Sequence, residues 1–236
     1  MRSIIFNLGF VAALTSFTGT AKAEVLFTDS FDGSAVDSSK WEIILPPDYG
    51  SHVGAAVSQN NGALTLSNLG HAFAKTPSSF EYEINGTFKL SNNYDIFGIT
   101  LRSNAVLSRW PSGDYGPADG ILVLFWAESG EITVSNGNQS GGINYNIGIS
   151  PNTDFKFRVY DSGAAVQTYI NDALVASFNS SYSPGSKVGF FSREGGTVLP
   201  TQTASLLDVS IIPEPSALTL LAVGLGGWAM MRRRRS

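Results

Sequence analysis

Phe155-Lys-Phe-Arg-Val-Tyr160 alternates apolar and polar residues one by one, and Asp161-Ser-Gly163 breaks the pattern at once. A period of two sets Phe155, Phe157 and Val159 on one face of a strand and Lys156, Arg158 and Tyr160 on the other. The same signal repeats outward in both directions. Downstream, residues 165–170 pair back, Asn171-Asp172 turns, and 173–178 follows, with Lys187-Val-Gly-Phe-Phe-Ser192 and Leu206-Leu-Asp-Val-Ser-Ile-Ile212 closing the series. Upstream, Glu81-Tyr-Glu-Ile-Asn-Gly-Thr-Phe-Lys-Leu90 and Ile96-Phe-Gly-Ile-Thr-Leu-Arg102 alternate likewise. Gly120-Ile-Leu-Val-Leu-Phe-Trp126 is apolar throughout, as a central strand covered on both faces is. Val57-Ser-Gln-Asn-Asn-Gly-Ala-Leu-Thr-Leu66 reads as a hairpin with Asn61-Gly62 as its type I′ turn. Helical periodicity is nearly absent between Glu24 and Ile212. About a dozen short strands with turn signals between them and no linker predict an all-β fold, one sandwich with no second domain.

Composition agrees and excludes several functions. Between Glu24 and Ile212 there are 18 acids and 9 bases, although the whole chain shows a net charge of only −4. Nucleic acid is therefore a poor partner, since binding rests on Lys and Arg neutralising phosphates. The chain has no cysteine, which removes thiol nucleophiles, thiolate zinc sites and disulfides. A body of about 190 residues can bury enough surface to hold together without them.

The two ends read as sorting signals. Arg2, the mostly apolar run 4–14 and the small-x-small pattern Ala21-Lys22-Ala23 make a secretory signal over residues 1–23, cleaved after Ala23 by a signal peptidase. The alternative, a buried N-terminal helix, sits poorly with the strand-like Glu24-Val25-Leu26-Phe27 that follows. At the other end Pro213-Glu214-Pro215 stops the last strand, because proline removes a ladder donor. A largely apolar stretch, 216–231, is fit to enter a membrane as a helix. Arg232, Arg233, Arg234 and Arg235 then hold its end on the cytoplasmic side. Residues 213–236 resemble the PEP-CTERM sorting tail element by element; a plain tail anchor would leave the tripeptide unexplained. The resemblance implies recognition by an exosortase in the inner membrane of a Gram-negative bacterium that makes exopolysaccharide.

The body, 24–212, resembles concanavalin A-like lectin/glucanase and laminin-G-like domains. The resemblance is carried by the opening Phe27-Thr-Asp-Ser-Phe-Asp-Gly33, by Trp41 and by Gly62-Ala-Leu-Thr-Leu66. It continues through Val166-Gln-Thr-Tyr-Ile-Asn-Asp172, Gly185-Ser-Lys-Val-Gly-Phe190 and Leu207-Asp-Val-Ser-Ile211. It implies a two-sheet antiparallel jelly roll with a curved face that binds glycans in many relatives. Fold alone does not name an activity.

Catalytic sets are sparse. The fold's glucanases carry acids in the order Glu, Asp, Glu on one strand; the nearest match is Glu81 and Glu83, with Ile84, Asn85 and Gly86 next. These two read as the solvated face of a strand, and no glycosidase site is assigned. No Gly-x-Ser-x-Gly elbow occurs, and His52 and His71, in Gly/Ala/Ser-rich surroundings, read as surface-loop residues. Asp29, Asp32 and Asp208 come from opposite ends of the body, and terminal strands often pair in this fold. Relatives often hold a structural calcium, which takes carboxylate and carbonyl oxygens. These three are the candidate ligands, with simple Asx turns as the alternative. For a glycan, aromatic platforms and planar polar groups are needed. Trp110, Tyr115 and Trp126 flank the longest irregular loop, 109–119, while Arg102, Arg158 and Tyr169 are placed to project onto one face. The alternative puts Trp126 in the core and makes Trp110 a loop anchor.

The reading is an exported, non-catalytic surface or matrix protein that associates with exopolysaccharide. Two alternatives stand beside it: a divergent glycoside hydrolase or lyase on the same scaffold, and a structural sheath protein without a ligand.

Overall fold

An alternating strand buries its apolar face only if a second sheet lies over it, and this chain supplies two large sheets for one another. The computed structural model describes residues 25–48, 53–75, 81–110, 115–137, 142–194 and 203–213. The two terminal segments expected to be helical, with Ala21, Ala23, Glu214, Pro215 and Arg232 to Arg235, lie outside the described residues, as does His52. Seventeen strands follow one another, and there is no helix among the described residues. They are β1 (Phe27–Asp29), β2 (Trp41–Ile44), β3 (Ala56–Asn60), β4 (Ala63–Ser67), β5 (His71–Ala74) and β6 (Tyr82–Leu90). Next come β7 (Asp95–Ser103), β8 (Leu107–Arg109), β9 (Tyr115–Pro117), β10 (Ile121–Trp126), β11 (Glu131–Asn136) and β12 (Ile143–Asn146). The last are β13 (Asp154–Asp161), β14 (Ala165–Ile170), β15 (Ala173–Asn179), β16 (Lys187–Glu194) and β17 (Thr203–Pro213).

One sheet runs β15-β14-β13-β6-β17-β4-β3, and β1 joins it beside β17; the other runs β12-β11-β10-β7-β16-β5-β2. Every pairing is antiparallel. The expected jelly-roll sandwich is what forms. Asn61 and Gly62 both have positive φ (52° and 75°), as a type I′ hairpin needs, and Asn171 and Asp172 repeat the device at 48° and 67°.

Between the sheets lies an aromatic slab. Phe88 stacks on Phe97 with centroids 4.7 Å apart and meets Phe125 at 4.8 Å, and Phe155, Phe157 and Phe190 extend it. Trp41 closes one end, edge-on to Phe27 at 5.0 Å. Its indole Nε1 donates to Asp29 Oδ2 at 2.7 Å, and Asp29 Oδ1 accepts from the Phe31 backbone N–H at 3.0 Å. The opening turn is thus fixed by an inward-facing carboxylate.

Four strands were not legible as such. β5, read as a loop around His71, is buried at all four positions, so it shows no alternation. His71 is fully buried, not on a surface loop. β8 and β9 form a separate hairpin, β9 inside the segment 109–119 expected to be irregular and β8 leading into it, and β12 is a polar edge strand.

Candidate functional site

The most enclosed chemistry begins at the end of β7. Alternation puts Ile96, Gly98 and Thr100 on the outer face of the seven-stranded sheet, and Arg102 would follow them. Instead Arg102 takes a φ of +53°, left-handed and uncommon for a side-chain-bearing residue. Its guanidinium crosses to Asp161 at the end of β13 in the facing sheet. Nε donates to Asp161 Oδ2 at 2.8 Å, and Nη2 makes a second, short bond to Oδ1. Both residues are buried, at 1% and 0% exposure. Hydrogen bonding to Asp161 raises the Arg102 pKa and keeps the cation charged against the opposing pull of burial. Nη1 then donates to the carbonyls of Ser180 and Tyr182, each at 3.2 Å.

These last two bonds pin the β15–β16 loop. Ser180 Oγ donates to Asn136 Oδ1 at 2.6 Å and accepts from the Tyr182 N–H at 3.1 Å, while Gly185 N donates to the Arg102 carbonyl at 2.8 Å. Only glycine fits at 185, since a Cβ there would come within 2.3 Å of the Ser103 carbonyl oxygen. The result is an open groove of about 610 Å³ lined by Asn136 and residues 179–184. Its side chains are Asn, Ser, Tyr and Pro, without a charge among them. Tyr182 is 39% exposed.

The other expected site residues fall in two further places. Trp110 is an anchor, not a platform: at 2% exposure it packs with Ile96, Leu122, Leu124 and Phe191 on the outer face of the seven-stranded sheet. Its Nε1 donates to the Pro117 carbonyl at 3.1 Å, and the Arg193 guanidinium lies 4.4 Å over the ring. Trp126 is half-buried against the same cluster, and Tyr115, half-buried in β9, pairs with Arg109. A Cβ on Gly116 would lie 2.3 Å from the Trp110 ring. Gly116→Ala is therefore expected to cost about 1–3 kcal/mol by overpacking and to shift tryptophan emission to the red, read by urea titration and fluorescence.

Arg158 and Tyr169 do come together, on the outer face of the eight-stranded sheet. The guanidinium lies 3.7 Å above the Tyr169 ring, and Nη1 is 3.5 Å from Glu83 Oε2. Asn85 Nδ2 donates to Glu83 Oε1 at 2.8 Å. Asp208 borders a hollow of about 270 Å³ on this face, with Arg158 and Lys156. Arg102 does not share the face, because it is drawn into the ion pair with Asp161.

Nor are the three aspartates gathered. Asp29 faces inward to Trp41, Asp32 is exposed and accepts from Ser30 Oγ at 2.6 Å, and Asp208 faces the hollow. Among the described residues no group of three His, Cys, Asp or Glu side chains is placed to hold a metal ion. Asp29, Asp32 and Asp208 therefore do not form a shared calcium ligand set, and Asp29 makes the alternative Asx turn through the Phe31 N–H. Sequence reasoning missed the groove itself; its signal was an aromatic inside the uncharged run Asn179-Ser-Ser-Tyr-Ser-Pro-Gly185.

Residues 212–235 match the PEP-CTERM protein-sorting motif. The chain carries that sorting tail. The tail implies exosortase-dependent processing of an exported protein in a Gram-negative bacterium. No curated protein matches the chain. Solved structures do match the body that precedes this tail. A Bacillus licheniformis β-glucanase superposes with a TM-score of 0.61 at 12% identity, over 83% of this chain and 100% of that one. A structure reported for endo-acting O-glycanases of the human gut microbiota, which initiate mucin breakdown, gives 0.61 at 14%, over 80% and 99%. The carbohydrate-binding module CBM66 of Bacillus subtilis gives 0.51 at 12%, over 73% and 95%. At such identities the likeness shows the fold alone, a concanavalin A-like jelly roll.

Proposed function

We propose that this protein is an exported, exosortase-sorted component of the cell surface or extracellular matrix that associates with exopolysaccharide without cleaving it. The observation that carries this reading is the groove beside Tyr182. Asn and Ser side chains both donate and accept, as paired sugar hydroxyls require, and a tyrosine face offers apolar area for a pyranose ring. The groove is held open by a buried ion pair, so little ordering remains to be done on binding.

The non-catalytic part is supported by the strand faces. No described strand presents three acids at alternate positions. The row from Glu83 continues with Asn85, Thr87 and Lys89, and the outer row of β10 is Leu122, Leu124 and Trp126. Glu83 is itself bound to Asn85 and Arg158. Hydrolases and a lyase on this fold remain the second reading, favoured by the glycanases among the superposing structures.

The test is retention of the purified protein on the producer's exopolysaccharide in an affinity gel. Saturable retention is expected, and Tyr182→Ala should weaken it about tenfold, the effect of losing one well-placed aromatic contact. Release of reducing ends during the incubation would overturn the non-catalytic reading. Absence of retention on any glycan would leave a structural sheath role.

A further inference from the structure

We infer that the groove takes an uncharged glycan and rejects polysaccharides bearing carboxylate or sulfate groups; this rests on the reading of the groove as a glycan site. Recognition of a sugar carboxylate calls for a guanidinium fork or an ammonium group facing the ligand. The groove's lining supplies neither: Asn136, Asn179 and Ser183 are neutral, and Tyr182 contributes a ring. The cation bonded to this loop from behind is Arg102, 1% exposed and paired with Asp161. Four of its five N–H groups are directed at Asp161 and at the Ser180 and Tyr182 carbonyls. It shapes the groove from behind and has no fork to offer a ligand.

Long-range charge acts in the same direction. The body between Glu24 and Ile212 carries 18 acids against 9 bases, so a polyanion approaching it is repelled beyond contact distance at low salt. At high salt that repulsion is screened within a few ångströms. The missing cation in the groove is not changed by salt, so screening alone does not create binding.

The experiment uses the protein as purified from the exporting cell in mild detergent. The probes are the producer's exopolysaccharide separated by anion exchange into neutral and acidic fractions, and the acidic fraction after its carboxylates have been reduced to primary alcohols with carbodiimide and borohydride. The neutral fraction should be retained, the acidic fraction should pass at both low and high salt, and carboxyl reduction should convert it into a retained ligand. Tyr182→Ala should weaken retention of both bound probes about tenfold, and Asn179→Asp should leave the acidic fraction unbound. Retention of the acidic fraction as strong as that of the neutral one, lost in Tyr182→Ala, overturns the charge selection while the groove stands as the site. Retention that Tyr182→Ala leaves unchanged overturns the groove as the site. Failure of every fraction to bind overturns the proposed function itself.

Discussion

Arg102→Ala is expected to lower the free energy of unfolding by about 3–5 kcal/mol, the usual result of stranding one member of a buried ion pair. Asp161, fully buried, would be left as an uncompensated carboxylate, its remaining bond coming from the Gly163 N–H at 2.9 Å. A domain's whole stability is about 5–15 kcal/mol, so this one change removes a large part of it. Alanine would also inherit the left-handed backbone at 102 without the bonds that hold it there. Asp161→Asn should fall in the same direction. The double replacement Arg102→Met with Asp161→Leu should be more stable than either single variant, because no lone charge remains. Its stability and its glycan retention should nevertheless part company. The Ser180 and Tyr182 carbonyls lose their shared donor in the double variant, so the loop lining the groove is freed while the sandwich recovers. Denaturant titration of the three variants, beside affinity gels, reads both quantities. An Arg102→Ala midpoint equal to that of the parent would show that the ion pair does not hold the two sheets together at this rim.

The fold was legible where each strand carries its own evidence. In β13 the core face and outer face alternate within six residues, and Asn61-Gly62 specifies its hairpin by backbone conformation alone. β5 failed because alternation needs one wet face. His71-Ala-Phe-Ala74 is buried on both faces, and a buried histidine reads as a loop residue. Arg102 failed for a related reason. It stands in a polar slot of an alternating strand, so local pattern exposes it. What buries it are Asp161 and the Ser180–Tyr182 backbone, some 59 to 80 positions later in the chain. The groove was hidden in the same way. Asn136 ends a strand of one sheet and Asn179 ends a strand of the other, and only the topology brings these two ends together. Trp110 reads as a sugar platform with a loop anchor as the alternative, and the cluster that buries it and makes it an anchor draws on β7, β10 and β16 at once.

His71 should make the protein acid-sensitive over a defined window. Burial lowers its pKa from 6.5 to about 4, and the Leu69 backbone provides the smaller, opposing pull. Neither ring nitrogen has a well-formed hydrogen bond, and the ring stacks on Phe191 with centroids 5.1 Å apart. Well above pH 6.5 the residue is neutral whether the chain is folded or not, so it contributes little pH dependence there. As pH falls from 6.5 towards 4 the unfolded chain binds a proton that the folded one refuses. Stability therefore drops with falling pH across this window, by an amount on the order of 3 kcal/mol when complete, and levels off below it. Asp95 works the other way: burial raises its pKa, so its contribution is present at low pH and is lost as pH rises through the folded value. The comparison that isolates His71 is the His71→Phe variant, which keeps a ring against Phe191 and cannot take up a proton. Unfolding free energies of parent and variant, each measured at pH 7 and pH 4.5, give a difference of differences in which Asp95 and any change in packing cancel. The variant should gain about 2–3 kcal/mol on the parent in moving to pH 4.5. If both proteins lose stability equally over that interval, His71 does not remain neutral in the fold, and its surroundings are open enough to let the imidazolium reach water.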